Sequence, residues 1–300
     1  MQTLESLKRR IKTAEDLRSV VRTMKTLAAV SIRQYEAAAS SLERYSDTIA
    51  SGMQMLLWHH PSVTEVTTAG PHARTGLIVF GSDQGMCGQF NEEIATSAID
   101  QINGLYDAGA AEVMTACVGV RPVGRLLDSG ISVDQVFEVP GSVGGITPAV
   151  QEMLVWLEDW RRRHHLRRVI LLYQHRQVET TCAPTVVMLL PFDVGNLNNE
   201  TSRRWSGASL PTFTMDPGIL LSALVRQFLF VRLFRAFAES LSSENASRIA
   251  AMQAAERSIG EQLVAFRFGY QQRRQSSITE ELLDVITGFE ALSQTDRPAV

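Results

Sequence analysis

Residues 4–28 read LESLKRRIKTAEDLRSVVRTMKTLA, with apolar side chains at Leu4, Leu7, Ile11, Ala14, Leu17, Val21, Met24 and Ala28. This three-and-four spacing predicts one apolar stripe along a helix. No Gly or Pro occurs in residues 1–51, so nothing local stops the helix, which is expected to fill residues 1–58. Leu4, Leu7, Ile11 and Ala14 follow a heptad; Arg18 and Lys25 then take core-type positions while Leu17 and Val20 drift into the seam. An irregular seam of this kind still needs a partner helix.

The matching segment lies at the other end of the chain. It begins after Pro217 and Gly218, runs without Gly or Pro to Ser258, and stays helix-like to about Leu292, interrupted only by Gly260, Gly269 and Gly288. At 1.5 Å per residue the two helices would span roughly 75 Å and roughly 100 Å, well beyond the ~30 Å of an ordinary domain. The simplest arrangement pairs them as a coiled coil; the alternative is a pair of core helices in a bundle. The expected divisions are a helix at 1–58, a central domain at 59–215, a second helix at 216–292 and a tail at 293–300.

Between the helices, strands and helices alternate. Leu77 to Phe80 is a short apolar run that meets GSDQGMCG (Gly81 to Gly88) and then Asn91-Glu92-Glu93, which reads as strand, turn and helix start. Glu112 to Val118 predicts a second strand, followed by a helix through Leu127. Thr147-Pro148 offers an N-cap and first-turn proline for a helix through about Arg162. Val169 to Tyr173 and Val186 to Leu190 are further strands, and residues 192–209, rich in Asn, Ser and Gly, predict a loop. Such alternation argues for a sheet covered by helices.

Composition narrows the function classes. The chain is 45% hydrophobic and 20% charged, with a net charge of -3. Arg226, Arg232 and Arg235 interrupt the longest apolar stretch, Leu210 to Phe237, so no membrane span is expected. The basic first helix invites comparison with a transit peptide, but Glu5, Glu15 and Asp16 and the unbroken pattern past Tyr35 argue against one. Cys87, Cys117 and Cys182 are widely separated and predict no disulfide framework.

Catalytic motifs are missing. The Gly-rich loop invites a phosphate-binding reading, yet the chain has no Gly-Lys and the loop lacks Gly-x-Gly-x-x-Gly, so a tight turn into a helix is the expectation. The run RRRHHLRR, Arg161 to Arg168, is expected to cap a helix and form a solvated or partner-facing patch; no nucleic-acid partner is expected. His59-His60 and His164-His165 do not share a helix face and suggest no metal site. Neither zinc-site nor hydrolase signatures occur. No cofactor, metal or catalytic residue is predicted, and Trp156 and Trp160 are expected to pack a core.

Three segments then carry a resemblance. Ser82-Asp83-Gln84-Gly85-Met86-Cys87-Gly88-Gln89-Phe90-Asn91 resembles the loop of the gamma subunits of F-type ATP synthases, roughly Ser-Asp-Arg-Gly-Leu-Cys-Gly-Gly-x-Asn. Ser243-Glu244-Asn245-Ala246-Ser247-Arg248-Ile249-Ala250-Ala251-Met252 resembles the family's Ser-Glu-x-x-x-Arg-x-x-Ala-Met. Arg274-Gln275-Ser276-Ser277-Ile278-Thr279-Glu280-Glu281 resembles its Arg-Gln-x-x-Ile-Thr-x-Glu. The N-terminal match is weaker, at Val20 to Met24 and Leu27-Ala28-Ala29, with Ser31 where a lysine is usual. Gln84 replaces the loop arginine and Ile259 a common asparagine. These departures mark a divergent gamma, such as an alternative F-type ATPase would carry, with the coupling ion left open between H⁺ and Na⁺.

The resemblance implies an α/β protein: a long antiparallel coiled coil of the N- and C-terminal helices plus a central Rossmann-like α/β domain. It implies a non-catalytic rotor shaft that couples ion flow through the membrane ring to ATP synthesis or hydrolysis in a hexamer of alpha and beta subunits. Its other partners would be the epsilon subunit and the ring, and it would lie peripherally on the cytoplasmic face of the cell membrane. Met24, Arg248, Arg274, Gln275, Thr279 and Glu281 would contact the surrounding subunits. Ser82, Asp83, Gly85, Cys87, Gly88 and Asn91 would form the family loop. The competing readings are a coiled-coil adaptor with an α/β binding module, and an α/β enzyme that dimerises through its helices.

Overall fold

The computed structural model describes residues 3–59, 73–178, 181–191 and 213–295. The expected loop at 192–209 lies outside them, as do His60 and the last five residues. The chain divides into two compact units, residues 1–26 with 252–300, and residues 27–251.

The N-terminal segment forms two helices instead of one, α1 (Leu4–Ser41) and α2 (Glu43–His59). Ser40 and Ser41 explain the break, since their hydroxyls donate back to Ala37 O at 3.1 Å and Ala38 O at 2.8 Å. Leu42 N then reaches Ala39 O, a tighter step than the α-helix makes. The C-terminal helix, called α6 here, runs from Pro217 to Thr295, through Gly260, Gly269 and Gly288.

The unit of residues 27–251 is built on a five-stranded sheet of order β3-β2-β1-β4-β5. The strands are β1 (Thr75–Phe80), β2 (Val113–Val118), β3 (Gln135–Phe137), β4 (Arg168–Val178) and β5 (Thr181–Leu190). The first four in that order are parallel and β5 is antiparallel to β4. Helices α3 (Phe90–Asp107), α4 (Arg121–Asp128) and α5 (Val143–His164) connect them. This is the Rossmann-like arrangement, with its change of direction between β1 and β4.

Both sheet faces are covered, which is why the central strands read as unbroken apolar runs. Leu77, Val79, Cys117, Ile170 and Leu172 face Ile94, Ala98 and Ile102 of α3 and Leu126 of α4. The alternate residues Ile78, Phe80, Ala116 and Leu171 face Met153 and Leu157 of α5, Phe237 of α6 and Tyr35 of α1. Phe80 meets Phe237 edge-on at 5.0 Å. Trp160 is buried, donates to Asp134 at 3.1 Å and stacks on Trp156 at 4.6 Å.

Two local expectations shift. Helix α5 starts at Val143, with Ser142 as N-cap, so Pro148 sits inside it instead of in its first turn. It ends with His165 in the left-handed region, and Arg161, Arg162, Arg163 and His164 fill its last turn, where positive charge complements the dipole. Helix α6 also contains an 18-residue window of mean hydropathy 1.5, apolar and long enough to cross a bilayer by length and composition alone, where the arginines led to the opposite expectation. Leu233, Ala236, Phe237 and Leu241 of the same helix are buried in the core of the sheet unit.

Within the unit of residues 1–26 and 252–300, α1 and α6 pair. Glu15 bonds Arg267 and Lys25 bonds Glu256, so advancing along α1 retreats along α6 and the pair is antiparallel. On α1 the seam is Leu4, Leu7, Ile11, Ala14, Arg18, Val21 and Lys25, each buried or half-buried. Leu17 and Val20, expected to enter it, are about half exposed at 52% and 51%. The heptad therefore continues in strict register with two cations inside it. On α6 the facing stripe includes Met252, Glu256, Ile259, Leu263 and Phe266.

Candidate functional site

The loop between β1 and α3 lies at the carboxyl ends of the parallel strands, where doubly wound sheets bind ligands. Here the loop is stitched to its neighbours. Asp83 Oδ1 accepts from Val120 N at 3.0 Å and Oδ2 from Val139 N at 2.8 Å, so one carboxylate ties down the segments that follow β2 and β3. Ser82 is fully buried; its backbone N–H donates to Asn91 Oδ1 at 3.0 Å and its hydroxyl to Gln84 O at 2.8 Å. Asn91 Nδ2 reaches Ser82 Oγ at 2.8 Å and Cys87 Sγ at 3.2 Å. Gly85 lies beside the Arg121 guanidinium. The loop residues singled out from sequence thus form one hydrogen-bonded turn.

The cleft between β1 and β4 is filled by the chain itself. Buried Gln174 on β4 donates to Phe90 O at 2.8 Å, and Ser243 of α6 donates to Gln174 O at 2.9 Å. Gly88, at φ +60, lets the loop approach α6, where an added Cβ would stand 4.0 Å from Ser247 O and 3.9 Å from Ala251. Helix α6 therefore lies against the strand ends a nucleotide would approach. Among the described residues no group of three or more His, Cys, Asp or Glu is placed to hold a metal ion.

Beneath the loop, Glu244 and Arg248 form a largely buried ion pair one helical turn apart, and Arg248 also donates to Asn245 at 3.1 Å. Burial raises the Glu244 carboxyl, Arg248 pulls it back down, and Asp83 adds a smaller upward push. Burial also raises the Tyr35 hydroxyl and the Cys87 thiol, with Glu244 adding to both. A thiol raised in this way is a packing group and a poor nucleophile. Arg248, which the resemblance assigns to a subunit contact, is largely buried and bonds Glu244 and Asn245 of its own helix.

The other residues singled out lie on the helix pair. Met24 is half-buried on α1, while Arg274, Gln275, Thr279 and Glu281 are exposed on α6. Thr279 donates to Gln275 O, an ordinary helix back-bond. From Ile278 to Thr287 every residue of α6 is exposed, including Ile278, Leu282, Leu283, Val285 and Ile286. The residue that sequence reasoning missed is Glu256. It accepts from Arg22 and Lys25, each at 2.7 Å, with Arg18 Nε 3.9 Å away. Arg18 and Lys25 in the heptad seam were the available signal, because a cation there needs a carboxylate on the facing helix.

Comparison with known proteins places this geometry. The model of the ATP synthase family matches residues 3–292. The ATP synthase gamma chain of Allorhizobium ampelinum is 27% identical over 303 residues, covering 97% of this chain and 100% of the relative. That of Glaesserella parasuis is 26% identical over 273 residues, covering 87% and 89%. The fold is also that of a chain from the mitochondrial ATP synthase of Euglena gracilis, with a TM-score of 0.63 at 12% identity over 99% of this chain and 97% of that one. A chain from the central stalk and c-ring of the Tetrahymena thermophila mitochondrial enzyme gives 0.55 at 15% identity, over 79% and 99%. Since the family match runs through both helices and the sheet between them, this chain belongs to the ATP synthase family, alongside its gamma chains.

Proposed function

We propose that this chain is the central rotor shaft of an F-type ATP synthase, turning inside a hexamer of alpha and beta subunits and non-catalytic by itself. The observation that carries the reading is the α6 segment from Ile278 to Thr287, where Ile278, Leu282, Leu283, Val285 and Ile286 form an exposed aliphatic face opposite Glu280, Glu281 and Asp284. An exposed aliphatic helix face calls for an apolar surface supplied by other chains. The filled strand-end cleft supports a structural role for the α/β unit and leaves nucleotide chemistry to the partner subunits.

An asymmetric shaft drives its surroundings through states of different affinity because each orientation makes different contacts. Met24, Arg248, Arg274, Gln275, Thr279 and Glu281 are the residues assigned to those contacts. Arg248 also pairs with Glu244 beneath the family loop. The α/β unit would face the epsilon subunit and the membrane ring, placing the chain peripherally on the cytoplasmic face of the cell membrane.

Co-expression with alpha and beta subunits from the same genome, followed by purification through a tag on beta, tests this. A single copy of the chain per hexamer is expected. Folded chain that fails to co-purify would overturn the reading in favour of a coiled-coil adaptor.

A further inference from the structure

A groove of about 280 Å³ runs between α5 and α6 in the sheet unit. Its floor and walls are aliphatic, with Leu157 and Leu190 contributed by the core and Leu221, Val225 and Leu229 by α6. Its rim carries Arg161, Arg226 and Glu158, all exposed. Among the described residues neither guanidinium has a hydrogen-bond or ion-pair partner, whereas Arg162 and Arg163, the next residues of α5, both pair with Asp159. Both arginines line the groove, and Arg161 begins the basic run that ends at Arg168.

We propose that this groove binds a monoanionic, single-chain amphiphile, with its acidic head on Arg161 and Arg226 and its aliphatic chain along Leu157, Leu190 and Leu229. Three features define that ligand. The rim sums to one net positive charge, two guanidinium groups against the Glu158 carboxylate, which a monoanion neutralises. Guanidinium forks suit a carboxylate or a phosphodiester equally, so either head has the required chemistry. The volume lies just below the ~300–1,000 Å³ range of ligand sites, so the slot takes one chain and excludes a second. Ser222 and Glu158 can also accept hydrogen bonds from hydroxyls on the head. The inference stands independently of the rotor reading, because it uses only α5, α6 and the end of β5.

The test is calorimetric titration of the full-length chain with three probes below their micelle concentrations: decanoate, decanoyl lysophosphatidylglycerol and uncharged decyl maltoside. Saturable one-to-one binding of an anionic probe is expected, with the maltoside not binding. Tighter decanoate binding would point to a free carboxylate as the natural ligand, and tighter lysolipid binding to a membrane phosphodiester. The Arg161→Gln/Arg226→Gln variant should bind the anionic probes about tenfold more weakly or worse. Val225→Trp should block the slot, with Ser222→Trp as a second obstruction should the first variant misfold by circular dichroism. Equal binding of the maltoside, unchanged affinity in the double arginine variant, or no saturable binding of either anion would overturn the proposal.

Discussion

Lys25 Nζ on α1 lies 2.7 Å from Glu256 Oε2 on α6, and Arg22 occupies the other oxygen of the same carboxylate at 2.7 Å. With Arg18 3.9 Å away, one glutamate serves three cations at the seam of the helix pair. Removing it leaves those cations to repel one another, whereas removing the whole set leaves an ordinary apolar seam. Glu256→Gln should therefore lower the thermal midpoint of the helix pair. A variant with Arg18, Lys25 and Glu256 all changed to Leu should match or exceed the parent. Equal midpoints for parent and Glu256→Gln in a calorimetric scan would contradict the clamp.

Acid should reproduce the same lesion. Hydrogen bonds from Lys25 and then Arg22 hold the Glu256 carboxyl down at about 2, from an ordinary value of 4.5. A carboxyl depressed on folding contributes stability that is fully present above its unfolded value and is lost as pH falls through the folded one. The pair should weaken as pH drops from about 4.5 through about 2. Spin labels at Thr13 and Phe268, both exposed, would report the separation, and Glu256→Gln should remove this component of the pH dependence.

Asp83 has a different task, joining two backbone segments within the sheet unit. Asp83→Ala strands the N–H groups of Val120 and Val139. The expected cost is about 2 kcal/mol, essentially that of the Val139 bond, since a bond to a charged acceptor is worth about 1.5–3 kcal/mol and exposed Val120 regains water once Asp83 is gone. Denaturant unfolding of the full chain measures it, and a loss confined to the experimental error would remove Asp83 from the account.

Gly119 and Gly130 make a matched pair with positive φ, +87 and +79. A Cβ at Gly119 would stand 2.6 Å from Ser82 C, a backbone atom that cannot move aside, whereas at Gly130 nothing lies within 4 Å. Gly130→Ala should cost about 1 kcal/mol from conformation alone. Gly119→Ala should cost about 3 kcal/mol by adding the clash. Equal unfolding free energies for the two variants would contradict the loop packing.

The exposed end of α6 should separate folding from assembly. Leu282→Asp with Leu283→Asp changes side chains that are 57% exposed, so stability should stay within about 0.5 kcal/mol of the parent. Co-purification with alpha and beta subunits should fall sharply. Normal assembly by this variant would disprove an apolar contact at this helix face.

Much of this was legible from local chemistry. Heptad spacing placed Arg18 and Lys25 in the seam, and the alternation of apolar runs with helical stretches gave the covered sheet. What escaped had causes outside the local pattern. Strand β3 is three residues long and exists because it pairs with Ala116 to Val118. The break at Leu42 depends on two serine hydroxyls turning back on their own helix. Leu17 and Val20 look like seam residues on an isolated helix, and only the facing helix decides that they stay half exposed. Helix α5 could begin at Val143 because Ser142 is extended there, a backbone state that composition does not specify. The Glu244–Arg248 pair was visible as a motif, but its burial required the fold.

The most direct test of the rotor account is to attach a probe to the sheet unit, through a cysteine introduced at exposed Tyr106, in a complex with alpha and beta subunits fixed to a surface. The account predicts stepwise rotation in one direction on adding ATP, slowed or stalled when the α6 segment after Arg273 is removed. ATP hydrolysis by the intact complex with a stationary probe would contradict it.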